Sequence, residues 1–249
     1  MFRRVALVVV AAVLVPLVPG NAAAAEELRP DLGMARLSDL KVATTTSGQR
    51  QLRFSTTIVN VGRGPFEIVA RRAALGAPFR VEQQIPRADG TRAPVAVPAG
   101  LVYGGDGHDH WHVRDLETYH LVRLDDGGTV GVAAKAGFCF YDTNAYRRSI
   151  PGSPRSKVYP EAGCGKRDSL VVTMGLSVGW GDRYAWTLPD QYIDITGLDD
   201  GRYRLFATAD AQGVFVESNR GNNTTWVDLA VTNHRTGTSM KVLGYGPAA

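Results

Sequence analysis

Hydrophobic and polar residues alternate with a period of two along much of this 249-residue chain. Residues 52–58 show the pattern most clearly, because Leu, Phe, Thr and Ile alternate there with Arg, Ser and Thr. Successive side chains of a β-strand point to opposite faces of the sheet, so this pattern predicts a half-buried strand. Further strands are predicted at residues 66–69, 119–124, 129–135, 202–207 and 224–231.

Turn-forming residues separate these segments. The stretches 60–65, 125–128 and 217–223 are rich in Gly, Asn and Asp, and the second of them is the expected turn of a hairpin. No long amphipathic helix stands out. Short strands separated by such turns predict an all-β fold, namely an antiparallel β-sandwich with long loops and little helix.

Three segments lack a clear period. Residues 71–100 are rich in Arg, Ala and Pro and are interpreted as a long excursion within the domain, and residues 142–167 are interpreted as a surface loop. The last dozen residues are interpreted as a loose tail. No internal repeat or linker divides the sequence, and residues 26–249 are enough to bury the core of a single domain.

The first 25 residues have the composition of a signal peptide. Arg3 and Arg4 precede an apolar run from residue 5 to residue 18, and Ala23, Ala24 and Ala25 provide the small residues that precede a cleavage site. Two prolines interrupt the run, which is shorter than the ~20 residues of a membrane span. We therefore expect a secreted, extracellular protein without membrane attachment after cleavage, and a retained anchor is the alternative.

Export sets the expectation for the two cysteines, Cys139 and Cys164. In an oxidising compartment a single disulfide is the simplest interpretation, and two buried free thiols are the alternative. The formal charge of +4 falls by two when Arg3 and Arg4 are removed. Because no basic stripe with interleaved aromatic residues occurs, a nucleic-acid partner is not expected.

The chemistry of the chain is concentrated in residues 108–112, His-Asp-His-Trp-His, which hold three of the five histidines. In an extended strand His108, His110 and His112 point to one face, so their ring nitrogens can converge on one metal ion. Imidazole ligands favour Cu, Zn, Fe or Ni over Mg or Ca. A surface cluster that binds metal only adventitiously is the alternative.

This run resembles the HxHxH copper motif of the lysyl oxidases, secreted amine oxidases whose quinone cofactor forms from their own Lys and Tyr side chains. Other blocks are similar to that family in the same order: residues 138–143 (FCFYDT), 175–184 (GLSVGWGDRY), 191–196 (QYIDIT) and 217–223 (ESNRGNN). The similarity covers residues 101–231, and over this range the chain resembles a bacterial lysyl-oxidase-like copper amine oxidase.

The resemblance implies two cofactors. Lys135 and Tyr184 fall where the family places the residues that form lysine tyrosylquinone, and the three histidines of the motif would hold Cu²⁺. It also implies the reaction, in which a primary amine, such as a lysyl side chain or a small amine, and O₂ give an aldehyde, ammonia and hydrogen peroxide. Candidates for the base that removes the α-proton are Asp115, His120 and Asp182.

Two other functions are compatible with these residues. A non-catalytic metal-binding or adhesive extracellular β-sandwich would use the same fold without a quinone. A metal-dependent hydrolase would hold zinc and a water molecule on the three histidines, but no obvious Glu or Asp partner motif accompanies them. A covalent link between Lys135 and Tyr184 distinguishes an oxidase from both alternatives.

Overall fold

The computed structural model describes residues 24–104, 108–133, 137–235 and 237–249. Within these residues the regular secondary structure is β-strand, apart from one short 3-10 helix at Glu161–Cys164. The strands are β1 (Leu32–Met34), β2 (Ser38–Thr44), β3 (Arg50–Asn60), β4 (Phe66–Arg71), β5 (Arg80–Pro86), β6 (Arg92–Val97), β7 (Leu101–Tyr103), β8 (Trp111–Arg114), β9 (Glu117–Arg123), β10 (Thr129–Val132), β11 (Gly137–Phe138), β12 (Asn144–Ala145), β13 (Val171–Leu176), β14 (Trp180–Tyr184), β15 (Tyr192–Asp194), β16 (Gly201–Ala209), β17 (Thr224–His234) and β18 (Gly237–Tyr245).

The described strands form four antiparallel sheets. The largest is centred on β3, which pairs with β1, β2, β14 and β15, while β12 pairs with β14. A five-stranded sheet has the order β10-β9-β16-β17-β18. The two smaller sheets have the orders β13-β4-β5-β6 and β11-β8-β7.

The main core lies between the β3-centred sheet and the five-stranded sheet. Residues of β16 alternate between buried and half-buried positions, and Tyr203, Leu205 and Ala207 point inward. Across the core, the rings of Phe54 and Tyr119 meet edge to face with their centroids 5.0 Å apart. Each fully buried side chain of this size contributes about 1.5–3 kcal/mol. The predicted all-β sandwich is therefore confirmed.

Residues 71–100 are more regular than predicted. β5 and β6 form a hairpin that extends the sheet of β4 and β13. The buried face of β5 carries Gln83 between Val81 and Ile85, so a polar residue interrupts the hydrophobic alternation. Gln83 is tolerated there because its side-chain amide donates to the carbonyl of Val216 at 2.7 Å and accepts from its N–H at 2.8 Å.

The prediction of a loose C-terminal tail was wrong. β18 pairs with β17 from Val227 to His234 and forms the edge of the five-stranded sheet. The chain then continues past Trp226, whose carbonyl accepts from the N–H of Gly246 at 2.9 Å. At an edge strand only one side is paired and most residues stay half-buried or exposed, so the hydrophobic pattern is weak.

The predicted signal peptide lies almost wholly outside the described residues, and the boundary at residue 25 stays a prediction. In the part of the chain that the structure describes, no helix has the length and apolar character needed to cross a membrane.

Candidate functional site

The three histidines of the motif lie at the start of β8, in the smallest sheet. Only His112 is within the strand, whereas His108 and His110 precede it. The structure thus differs from the predicted continuous strand. Before the motif, Gly104 adopts a φ of +68°, a conformation that favours glycine, and its N–H donates to the carbonyl of His110 at 2.9 Å.

The imidazoles nevertheless converge as the motif predicts. One ring nitrogen from each histidine lies within 4.8 Å of the other two. The ring centroids are 4.6 Å apart for His110 and His112, 5.0 Å for His108 and His110, and 6.2 Å for His108 and His112. His110 and His112 are buried and His108 is half-buried. Three imidazole nitrogens so close together fit a copper or zinc ion.

The neighbours of β8 hold the motif in place. A Cβ atom on Gly137 would lie only 2.7 Å from the Cβ of His112, so glycine is what allows β11 to pack this closely. The ring nitrogen of Trp111 donates to the carbonyl of Lys166 at 2.8 Å, and its ring packs edge-on against those of Phe79 and Tyr103. The residue between two of the histidines is thus fixed by contacts on several sides.

Tyr184, the predicted cofactor tyrosine, lies in the same cavity as two of the histidines. This cavity has a volume of about 140 Å³, and its lining residues are His108, His110, Tyr141, Asp182, Arg183, Tyr184, Ala185 and Leu188. Asp182 and Tyr184 are two residues apart on β14, so both point to the same face, and both are buried. The structure therefore brings the predicted tyrosine to the histidine motif.

The phenol of Tyr184 is held at both its ring and its hydroxyl. Its ring stacks on that of Phe138, with centroids 3.9 Å apart and an interplanar angle of 27°. Its hydroxyl accepts from the N–H of Cys139 at 3.1 Å and donates to the carbonyl of the same residue at 3.2 Å. Cys139 is bonded to Cys164, as predicted, so the disulfide anchors the backbone that binds the phenol.

Lys135, the predicted cofactor lysine, lies outside the described residues. Of its described neighbours, Ala133 bridges to Ile193 of β15, and Gly137 pairs with Arg114 of β8. The assignment of Lys135 therefore stays a prediction.

Of the three candidate bases, the structure places only Asp182 among the residues that line this cavity. Asp115 lies in the turn between β8 and β9, at a φ of +55°, and faces a different cavity. His120 stacks on Phe206, with centroids 4.6 Å apart, on the side of β9 opposite the buried Tyr119. Burial lowers the pKa of His120, but the residue is not among those that line the cavity of Tyr184.

Sequence reasoning missed two side chains around the histidines. Tyr141 lines the cavity, and burial, together with the charges of Asp182 and Glu161, raises its pKa to about 12. Glu161, in the 3-10 helix, places a carboxylate oxygen 3.7 Å from Nδ1 of His110. Glu161 belongs to the aperiodic segment 142–167, where no spacing signals which side chains turn toward the site. Tyr141 lies in the FCFYDT block, but its place in that block does not show that its side chain lines the cavity.

A buried polar network behind β3 was also missed. The hydroxyl of Tyr119 donates to Glu117 at 2.6 Å, and Thr56 donates to the same carboxylate at 3.3 Å. Thr56 stands opposite Tyr184 in the register of β3 and β14. Burial and the Glu117 charge raise the pKa of Tyr119, so its phenol stays protonated. The alternation in β9 could have placed Glu117 inward, because it is two residues from Tyr119.

Comparison with known proteins decides the family. The lysyl oxidase family model matches residues 103–240, which is more than half of the chain. The chain belongs to the lysyl oxidase family. The matched residues include the three histidines, both cysteines and Tyr184. The resemblance found in the sequence is therefore confirmed.

Known lysyl oxidases share part of their length with this chain. Lysyl oxidase homolog 3 of Homo sapiens is 27% identical over 187 residues, which are 75% of this chain and 20% of that protein. Protein-lysine 6-oxidase of Rattus norvegicus is 29% identical over 129 residues, or 51% of this chain and 28% of that protein. Protein-lysine 6-oxidase of Sus scrofa is 28% identical over 129 residues, or 51% of this chain and 46% of that protein. The chain thus covers from about a fifth to slightly less than half of the length of these relatives.

Proposed function

We propose that this lysyl oxidase family member is a secreted copper-dependent amine oxidase that converts primary amines to aldehydes. Its substrates would be lysyl side chains or small amines, and O₂ and water would be consumed as ammonia and hydrogen peroxide are released. The observation that supports this proposal most is the cavity shared by Tyr184 and two of three converging histidines. The cofactors would be Cu²⁺ and a lysine tyrosylquinone made from Lys135 and Tyr184.

The three histidines are the residues that would hold copper. Their donor set is all imidazole, and two of the three rings are buried, which limits competition from water. When bound, copper and the quinone supply electron transfer to O₂ and a carbonyl with which a primary amine condenses. The protein's own contribution is to place the reacting groups and to exclude competing reactions.

Tyr184 is the side chain whose position the protein controls most closely. The stacked ring of Phe138 restricts rotation of the phenol, and the two bonds to the backbone of Cys139 set the direction of its hydroxyl. The ring held in this way forms part of the wall of the cavity shared with His108 and His110. Such preorganisation favours reaction of the ring with groups inside the cavity.

Asp182 is the carboxylate best placed to accept the α-proton of the amine on one of its oxygens. It is fully buried and lies in the cavity wall beside Tyr184. Its charge contributes to the raised pKa of Tyr141, so the two side chains are close enough to interact. Ala185 and Leu188 complete the wall with apolar surface, which suits the aliphatic arm of an alkylamine.

The buried disulfide supports secretion of the mature chain. Cys139 and Cys164 are both fully buried and joined, and stable structural disulfides are typical of exported proteins. Partners would accordingly be the amine and O₂, with no nucleic acid and no membrane after signal cleavage.

Two tyrosines of the same cavity provide a matched test of the quinone. After copper loading in air, wild-type protein and Tyr141→Phe should stain in a quinone redox-cycling assay and react with phenylhydrazine. Tyr184→Phe should do neither, while all three proteins keep their copper. A colourless wild-type protein would favour the non-catalytic metal-binding module. Loss of copper from Tyr184→Phe would show that the tyrosine acts as a ligand instead.

The role of Asp182 can be separated from cofactor formation. Asp182→Asn should lower kcat for an alkylamine by roughly 10²–10⁴-fold, because a general base is lost. The variant should still react with phenylhydrazine, which condenses with a carbonyl and needs no α-proton removal. Unchanged turnover in Asp182→Asn would exclude this residue as the base.

A further inference from the structure

The disulfide lies directly against the histidine motif. A ring nitrogen of His110 and the sulfur atoms of Cys139 and Cys164 all lie within 4.8 Å of one another, and all three residues are buried. His110 therefore takes part in two groups of possible metal ligands, one with the other two histidines and one with the two sulfurs. The second group can bind metal only when the cysteines are not joined.

We propose that, before this disulfide forms, His110, Cys139 and Cys164 make a second metal site for a thiophilic d¹⁰ ion such as Zn²⁺ or Cu⁺. Thiolate ligands select these ions, whereas an all-imidazole set also accepts Cu²⁺. Closing the disulfide removes two of the three ligands and leaves His110 to the site with His108 and His112. The state of one disulfide thus determines which metal ion the motif binds.

The required movement is small. Ligand atoms around a tetrahedral zinc ion with sulfur and nitrogen ligands lie roughly 3.5–3.8 Å apart. The three atoms already lie within 4.8 Å of one another, and the Cα atoms of the two cysteines are 6.0 Å apart. The proposal requires the two cysteine side chains to rotate so that the sulfurs separate and both point toward the imidazole.

The replacement of the bound metal ion by a disulfide balances in atoms and electrons. In the newly made chain both cysteines are thiols, and metal binding releases their protons to solvent. Disulfide formation then removes two electrons from the two thiolates. These pass by thiol–disulfide exchange to a disulfide oxidant, which takes up two protons from solvent and leaves as a dithiol. The d¹⁰ ion is released as its two sulfur ligands are lost.

The proposal fixes the order of maturation. Because His110 belongs to both groups, an ion held by the cysteines withdraws a ligand from the three-histidine site. The hydroxyl of Tyr184 binds the backbone of Cys139, so the same ion would lie beside the predicted cofactor tyrosine. The disulfide must therefore close before copper loads correctly. This inference does not rest on amine oxidase activity.

Cobalt(II) provides an optical test on the full chain. In the double variant His108→Ala/His112→Ala, only the second group remains intact. Kept reduced with a phosphine, this variant should bind Co²⁺ with intense thiolate-to-cobalt charge-transfer absorption and the visible bands of a tetrahedral ion. The same variant in its oxidised form should show neither. Adding His110→Ala should weaken Co²⁺ binding by at least about tenfold, because loss of a side chain that merely supports a ligand already costs roughly 10–100-fold in metal affinity, while adding the control His234→Ala should not.

Three results would overturn the proposal. One is the absence of a charge-transfer band in the reduced double variant. Another is a band whose Co²⁺ affinity is unaffected by His110→Ala, which would indicate adventitious thiol binding. The third is a reduced chain whose circular dichroism shows no native fold even with Co²⁺ present, because the site needs the fold that brings the three residues together.

Discussion

At the scale of single residues, the metal site depends on which histidines the fold brings together. His110→Ala removes a buried imidazole from the donor set, so we expect copper content after dialysis to fall from full occupancy to a small fraction. His234 provides the control, because it is exposed at the end of β17 and binds Ser239 at 2.8 Å. His234→Ala should keep its copper. Full copper content in His110→Ala, measured by elemental analysis, would contradict the assigned site.

Glu217 provides a second test at this scale, through the dependence of stability on pH. Burial raises its pKa from 4.5 to about 7, although its carboxylate accepts from the N–H of Leu32 at 3.0 Å and from the side chain of Asn223 at 2.8 Å. The folded protein thus binds the proton more tightly than the unfolded chain. This contribution is complete below about pH 4.5 and is lost as the pH rises through 7.

We expect the free energy of unfolding to fall by on the order of 2 kcal/mol between pH 4.5 and pH 8 because of this residue. In Glu217→Gln that part of the decline should disappear, since the amide does not titrate. Urea denaturation at a series of pH values measures the difference. An identical pH slope in wild type and variant would show that Glu217 does not titrate in this range.

The sequence predicted those residues of the site that stand in recognisable motifs. The histidine run and Tyr184 could be found because strand periodicity and motif order single them out. The roles of Glu161 and Tyr141 could not, since both residues lie between the two cysteines, where the path of the chain depends on the disulfide. Side chains on such loops are positioned by tertiary contacts that no local pattern records.

At the scale of elements, the turn between β3 and β4 shows how tightly the N-terminal segment packs. The N–H of Val61 donates to Asp31 at 2.9 Å, and that of Arg63 donates to Arg29 at 3.0 Å. A Cβ atom on Gly62 would lie 2.7 Å from the carbonyl oxygen of Arg29. The turn and the segment before β1 therefore form one packed unit.

Gly62→Ala should destabilise the protein by about 1–3 kcal/mol, because the added methyl group has no room against this backbone. Gly244→Ala in β18 is the matched control, since a Cβ there meets nothing within 4 Å. Its unfolding free energy should differ little from that of wild type. Equal denaturation midpoints for the two variants would argue against the close packing of this turn.

The strands that sequence patterns missed, β5 and β18, lack a regular series of buried hydrophobic residues. β5 buries Gln83, whose amide is satisfied by the backbone of Val216, and β18 is an edge strand with few buried residues. β16 was predicted because burial on one face dictates its composition. β3 was predicted from its sequence alternation, although nearly all of its residues are buried in the fold. Strands whose stability comes from a distant hydrogen-bond partner or from one neighbouring strand carry no such signature.

At the scale of the whole molecule, the site lies where two sheets meet. β14 of the β3-centred sheet carries Tyr184, and β8 of the smallest sheet begins within the histidine motif. The Cys139–Cys164 disulfide links the backbone that holds the tyrosine to the 3-10 helix that carries Glu161. Neither sheet alone contains the site, so its chemistry depends on the sandwich being fully assembled.

Mass spectrometry of peptides from the copper-loaded, air-exposed protein tests the central claim most directly. The proposal predicts one cross-linked species that contains both Lys135 and Tyr184, absent from protein kept free of copper and absent from Tyr184→Phe. Recovery of the two residues in separate, unmodified peptides after full copper loading would contradict the oxidase proposal, even if the three histidines bind the metal.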